Sequence, residues 1–364
     1  MNEFQVAGDI NQRLLELVAD VFEVQDITAG YFRGRGARMR GRLRLPAQEA
    51  YEILAPRFES LGYTALFRRE RDCHVILAEP GVLRRRRYNV WVNVLLFIVT
   101  TLSVLLTGTT YIAPAKEWSL PALLPALGFA GSLLAILLAH EMAHYFVARH
   151  FGVPISLPYF IPFPLTLFGT MGAAEIMQGR PKNRHALLAV GMAGPLAGFL
   201  LAVPILLLGL LLSEVKPIPA AGSYFVEGNS LLYLALKYLV FGRILPSGGY
   251  DVFIHPIAFA GWGGLLVTAL NLIPAGQLDG GHIIYALWGR RSRWLLWPIL
   301  ITLIILGSKW WPWYIWAALI YFLGRFYAEP LDDITGLSKV VQILAVLMLV
   351  LFVLIFSPVP FRVG

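Results

Sequence analysis

From Val90 onward the chain is a series of long apolar runs separated by short polar stretches, whereas its first 89 residues mix polar, charged and apolar positions. The early region shows both helical and strand periods. Leu14, Leu15, Val18, Val21 and Phe22 fall at helical spacing and predict a helix over 10–24, with Asp9 as its cap. Over 38–45 the residues alternate. Met39, Leu43 and Leu45 take one side and Arg38, Arg40, Arg42 and Arg44 the other, the period-two pattern of a half-buried strand. Pro46 opens a second helix that runs to Leu61 and is closed by Gly62. Two short strands are expected at 63–68 and 73–78. Residues 1–84 thus read as a small cytosolic α/β domain whose arginine face is solvated or turned to lipid.

The apolar runs predict membrane spans at 88–112 and 120–149, the second longer than the roughly 20 residues a bilayer requires. The next stretch, 153–168, is apolar but interrupted by Pro154, Pro158, Pro162 and Pro164, so it cannot be one straight helix. Irregular backbone at membrane depth is tolerated only where protein buries it or a cavity runs beside it. A re-entrant loop is therefore expected, followed by an extended strand over 170–177. A third span covers 186–212 and contains Gly194-Pro195. A polar loop with several glycines covers 213–251. A fourth span starts at 255, meets Pro274-Ala275-Gly276 and continues past Asp279. Further apolar stretches lie at 295–307, 313–327 and 340–356.

Basic residues beside span ends mark the cytosolic side. Arg84 to Arg87, then Arg180, Lys182 and Arg184, then Arg290, Arg291 and Arg293 supply those marks. They place the N-terminus inside and, with seven spans, the C-terminus outside. The expected fold class is an α-helical polytopic membrane protein with a re-entrant loop and β segment. Residues 1–84 form the cytosolic domain, 88–289 a catalytic transmembrane core and 290–364 additional C-terminal spans.

Composition agrees. Hydrophobic residues make up 57% of the chain and charged ones 14%, against about 45–50% and about 25% in soluble domains. Of the 30 Lys+Arg residues, half precede Val90, and all of those are arginine. Such a segment beside a membrane span is drawn to anionic lipid, and no other feature speaks for nucleic acid. The single cysteine, Cys73, forms no disulfide within the chain and fits a reduced cytosolic face. The mixed polar N-terminus is unlike a secretory signal. The expected location is multi-pass in a membrane, the plasma membrane in a prokaryote.

The candidate chemistry lies in the second span, at His140-Glu141-Met142-Ala143-His144. Histidines four apart share one helix face and can hold one metal ion, and the glutamate beside the first can serve as general base. Ionisable groups at membrane depth are costly, so three within five residues require a partner. Haem ligation or a polar contact between helices also accounts for the histidine pair, but haem ligation leaves Glu141 without a task. A tetrahedral catalytic zinc needs a third protein ligand and one open position. Asp279 fits best, because Pro274 and three neighbouring glycines break the helix and let its carboxylate turn inward.

The pentapeptide, together with Asn271-Leu272-Ile273-Pro274 and Leu278-Asp279-Gly280, resembles the site-2 protease family of intramembrane zinc metalloproteases. Phe168-Gly169-Thr170-Met171-Gly172-Ala173 and Ala193-Gly194-Pro195-Leu196-Ala197-Gly198 extend the likeness. The N-terminal domain and extra C-terminal spans are most similar to the subgroup that includes chloroplast members. Two positions depart from that pattern: Gly41-Arg42-Leu43-Arg44 stands where G-N-L-R is usual, and Ala189 where an acid is usual. The resemblance implies one Zn²⁺ per chain on His140, His144 and Asp279. It implies Glu141 as the base and Asn271 as a donor to the substrate carbonyl. His282 is either a partner of the ligands or a solvated residue. The implied reaction is endoproteolysis of single-pass membrane proteins, with membrane lipids as the other partners. Residues 169–176 can offer a strand edge to an unwound substrate or simply form a structural hairpin. The rival readings are a prenyl-protein type of membrane zinc protease, which generally uses a glutamate as third ligand, and a non-hydrolytic metal- or haem-binding membrane protein.

Overall fold

The computed structural model describes residues 12–32, 35–82, 88–114, 119–219 and 225–363. The proposed cap Asp9 and the run Arg84 to Arg87 lie outside them. The first helix, α1, covers 12–18 and ends sooner than its periodicity suggests. Phe22 instead opens strand β1 (Phe22–Phe32), rich in the aromatic and β-branched residues that favour a pleated surface. It pairs antiparallel with β2 (Arg35–Leu43), Ile27 opposite Met39. Helix α2 (Ala47–Ser60) and strands β3 (Tyr63–Glu70) and β4 (Cys73–Pro80) complete a sheet of order β1-β2-β4-β3. Met39 is buried with Leu14, Phe22, Leu54, Phe58 and Ile76. On the other face Arg42 and Arg44 are exposed, while Arg38 is bound to Glu70 at 2.5 Å.

Among the described residues three helices are long and apolar enough to cross a membrane: α3 (Val90–Thr107, continued by a wider turn to Ile112), α4 (Leu120–His150) and α5 (Arg184–Leu211). Leu102 and Leu106 on α3, Phe146 on α4 and Leu200 and Leu211 on α5 are exposed. A soluble protein does not carry apolar surface on this scale, and a bilayer covers it without cost. Between α4 and α5 the proline-broken stretch forms a hairpin, as expected. Its strands are β5 (Tyr159–Pro162) and β6 (Thr170–Ala174), with Phe160 opposite Ala173.

Two expectations needed correction. The region read as one polar loop, 213–251, holds β7 (Glu214–Pro217), β8 (Phe225–Glu227), helix α6 (Leu231–Phe241) and β9 (Tyr250–Phe253). The Ser230 hydroxyl caps α6 by accepting from the Tyr233 amide, and an apolar run of eleven residues is too short to stand out as a span. The fourth span is two helices, α7 (Pro256–Asn271) and α8 (Asp279–Trp288), because Pro274 and the left-handed Gly276 turn the chain between them. After α8 come α9 (Leu296–Gly307), α10 (Pro312–Leu323), α11 (Lys339–Ile355) and the short strand β10 (Phe361–Val363). With 12 residues each, α9 and α10 are shorter than a bilayer crossing.

The stretch after α10 does not simply link spans. It forms hydrogen bonds with the N-terminal sheet on one side and the strand-like start of α5 on the other. The Phe67 amide donates to Leu331 and the Asp333 amide to the Phe67 carbonyl, while the amides of Leu331 and Asp332 donate to Pro181 and Lys182. The buried Arg68 guanidinium donates to the carbonyls of Pro330 and Leu331. Burial pulls its pKa below the ordinary guanidinium value, opposed by Glu329 and Asp333. Asp333 accepts from Arg184 at 2.9 Å and from the Tyr285 hydroxyl at 3.3 Å, joining this stretch to α5 and α8. Because Asp333 is buried, Asp333→Ala is expected to cost about 3 kcal/mol and to lower the thermal unfolding midpoint by several degrees. An unchanged midpoint in a fluorescence melt of the detergent-solubilised protein would refute this.

Candidate metal centre

Residues 140, 141 and 144 lie in the last third of α4, where the helix is packed against both α5 and α7. Residues four apart on a helix stack on one face, and the rings of His140 and His144 stand edge to face with centroids 5.0 Å apart. Both are buried, as is Glu141. Helix α5 makes this possible by omitting side chains. A Cβ on Gly194 would overlap His144 Nε2 and His140 Cδ2, and one on Gly198 would touch the His140 ring. A Cβ on Gly191 would overlap the β-carbon of His282, next to the Asp279 carbonyl. Positions 191, 194 and 198 share one helix face, so the Gly194-Pro195 motif is a groove cut for the imidazoles.

Asp279 arrives from the opposite side. It is the first residue of α8, and the loop from Leu272 to Leu278 folds back tightly over that first turn. The carbonyls of Leu272 and Ile273 crowd Gly280, and those of Ala275 and Gly276 crowd Gly281, leaving no room for side chains there. The carboxylate is thereby directed at the histidines. Asp279 Oδ2 lies 3.4 Å from His140 Nε2 and 3.3 Å from His144 Nε2. The two Nε2 atoms are themselves 3.3 Å apart.

These three equal edges test the fit to a metal. Zinc binds nitrogen and carboxylate oxygen at about 2.0–2.2 Å in a tetrahedron, which sets its donors about 3.3–3.6 Å from one another. The triangle matches that edge on all sides. The histidine tautomer fits as well. His144 Nδ1 is 2.8 Å from the Val190 carbonyl, so Nδ1 carries the proton and Nε2 presents its lone pair. The Asn271 amide is 3.3 Å from His140 Nε2 and borders the same space. His282 is buried rather than solvated, and its Nδ1 has no partner among the described residues.

A cavity of about 690 Å³ opens onto this cluster. His140, Glu141, His144, Asn271, Asp279 and His282 line it on the helical side. The stretch from Ala173 to Pro181, the end of the hairpin and the turn toward α5, also lines it. All the residues singled out in the sequence as ligands, base and carbonyl donor therefore meet in one chamber. The contributions of Val190 and of the glycine face were not read from the sequence. The spacing 191, 194, 198 was the available signal for the latter.

Fold and donor set together define a membrane-embedded metal-site protein. Residues 128–299 match the sequence model of peptidase family M50, which bears out the resemblance drawn from the motifs. The chain is similar to the probable zinc metalloprotease EGY2, chloroplastic, of Oryza sativa subsp. indica, with 35% identity over 238 residues, 64% of this chain and 43% of the relative. The EGY2 protein of Arabidopsis thaliana is 33% identical over 64% of this chain and 42% of its own. The probable zinc metalloprotease EGY1, chloroplastic, of Arabidopsis thaliana is 34% identical over 68% and 45%. The chain thus spans less than half the length of these curated relatives. No solved structure matches it.

Proposed function

We propose that this protein is a zinc-dependent intramembrane endopeptidase that cleaves transmembrane segments of single-pass membrane proteins. The observation that carries the reading is the near-equilateral triangle of His140, His144 and Asp279 donors beside Glu141 at the head of a cavity. Zinc held there supplies an activated water and polarises the scissile carbonyl. Glu141 takes the proton from the attacking water and delivers it to the nitrogen of the departing amine. Asn271 donates a hydrogen bond to the oxygen that gains negative charge. Gln178–Pro181 line the cavity, and water is expected to enter beside them, from the side marked by Arg180, Lys182 and Arg184. That side is the cytosol by the charge rule, with the N-terminal domain on it and about seven apolar segments embedded.

A transmembrane helix hides its peptide bonds in its own hydrogen bonds and must unwind before one can be cut. Among the described residues strand β6 pairs only with β5, so its second edge can take up the unwound stretch as an added strand. An aspartate in the third-ligand position favours this reading over the prenyl-protein type.

The test is metal content together with cleavage of a reconstituted membrane-helix substrate. Purified protein is expected to hold one zinc. A chelator should stop cleavage and added zinc restore it. Asp279→Ala should bind zinc at least about 100-fold more weakly, because a three-ligand site becomes a two-ligand one, and should not cleave. A haem absorbance band with no zinc would overturn the proposal.

A further inference from the structure

One ionisable side chain in the cavity has no place in that chemistry. Glu175 follows the last residue of β6 and lines the same cavity as His140, Glu141 and Asp279. Both its carboxylate oxygens are shielded from solvent, and neither has a hydrogen-bond partner among the described residues. It stands outside the cluster of atoms close enough to hold one metal, which is His140, His144 and Asp279 alone. The other lining residues of either charge are accounted for. Asp279 faces the two histidines, and the Arg180 guanidinium is held by Glu79 at 3.1 Å. A shielded carboxyl without a donor costs free energy unless something supplies one.

The backbone around it shows where a donor would come from. Residues 154–156 and 176–178 prolong the hairpin, since Ser156 donates its amide to the Ile176 carbonyl and Gln178 its amide to the Pro154 carbonyl. Glu175 thus sits on an extended edge, between two paired stretches. A chain added along the free edge of β6 sets one of its own side chains about 5 Å from that of Glu175.

We propose that Glu175 is a specificity-determining residue that selects substrates carrying a lysine or arginine next to the scissile segment. The inference rests on the intramembrane-protease reading. A membrane helix carries its Lys and Arg residues at its cytosolic end, and the cavity lining includes Arg180, one of the basic residues that mark the cytosolic side of this chain. A substrate helix unwinding into the cavity from that end brings its flanking cation to the wall that holds Glu175. The carboxylate and cation satisfy each other at a point where the Glu175 oxygens are shielded from solvent, and a charge-assisted hydrogen bond there is strong.

The experiment measures binding, so that it does not depend on turnover. The Glu141→Gln protein, in nanodiscs and loaded with zinc, is titrated with a labelled single-helix peptide bearing a lysine at its cytosolic flank. Two further peptides replace that lysine by acetyl-lysine or glutamine. The lysine peptide is expected to bind about tenfold more tightly than either. Adding Glu175→Gln should remove the preference, and Glu175→Lys should reverse it toward a glutamate-bearing peptide, with zinc content unchanged in both. Equal binding of the three peptides overturns the proposal, as does a lysine preference that survives Glu175→Gln. Should a Glu175 variant fail to hold zinc, the comparison of lysine with acetyl-lysine on the parent protein decides alone. A lysine preference without any cleavage by the wild type would refute the protease reading and leave the recognition by Glu175 standing.

Discussion

Glu141→Gln is expected to keep its zinc and lose cleavage by about 10²–10⁴-fold, the usual contribution of a positioned general base. The prediction rests on a separation of tasks visible in the geometry. Glu141 is next to His140 in sequence, yet it lies outside the set of atoms that converge on the metal position. Its amide replacement has nearly the same volume and leaves the triangle of His140, His144 and Asp279 intact. What it removes is the lining carboxylate to which the proposed function gives the proton transfer between water and the leaving amine. Metal analysis and a cleavage assay on the same preparation decide the matter. Cleavage within a few-fold of wild type would show that another group is the base, and loss of zinc would show that Glu141 supports the ligands.

Gly194→Ala should be nearly as damaging by a different route. A methyl group at this position has no space, because it would overlap the Nε2 of His144 and the Cδ2 of His140. The rings would have to swing away, and equal donor separations of 3.3–3.4 Å would be lost. Disturbing groups that orient metal ligands typically lowers metal affinity by about 10–100-fold, and cleavage falls with it. Gly131→Ala on α4 is the control, since a Cβ there meets nothing within 4 Å. That variant should hold zinc normally, and its helix should gain about 1 kcal/mol. Zinc affinity of Gly194→Ala equal to that of the control, measured by competition with a chelator, would remove the glycine groove from the account.

Much of this site was legible because its residues are expensive where they stand. His140, Glu141 and His144 interrupt an apolar run long enough for a bilayer, and the i, i+4 spacing puts both imidazoles on one face. Asp279 was legible from the helix-breaking residues around it. Strand β2 was read from alternation and β3 and β4 were expected as short strands, and all three lie within a few residues of their expected bounds. Strand β1 was not, because Val21 and Phe22 also satisfy a helical period, and only pairing with β2 decides between the two. Helix α6 was hidden by the glycines and polar residues around its short apolar run.

Local spacing by itself determined the pairing of two histidines with a glutamate on one apolar helix, and the presence of long apolar helices. The tertiary structure decided what lies between distant positions. It brought Asp279 within 3.4 Å of residues 135 and 139 positions earlier, which periodicity cannot do because it reports faces and not neighbours. It showed that Gly191, Gly194 and Gly198 are absences required by the rings beside them. It also tied residues 331–333 to both the N-terminal sheet and the start of α5 through backbone hydrogen bonds. Those bonds use groups that every residue carries, so no side-chain pattern announces them.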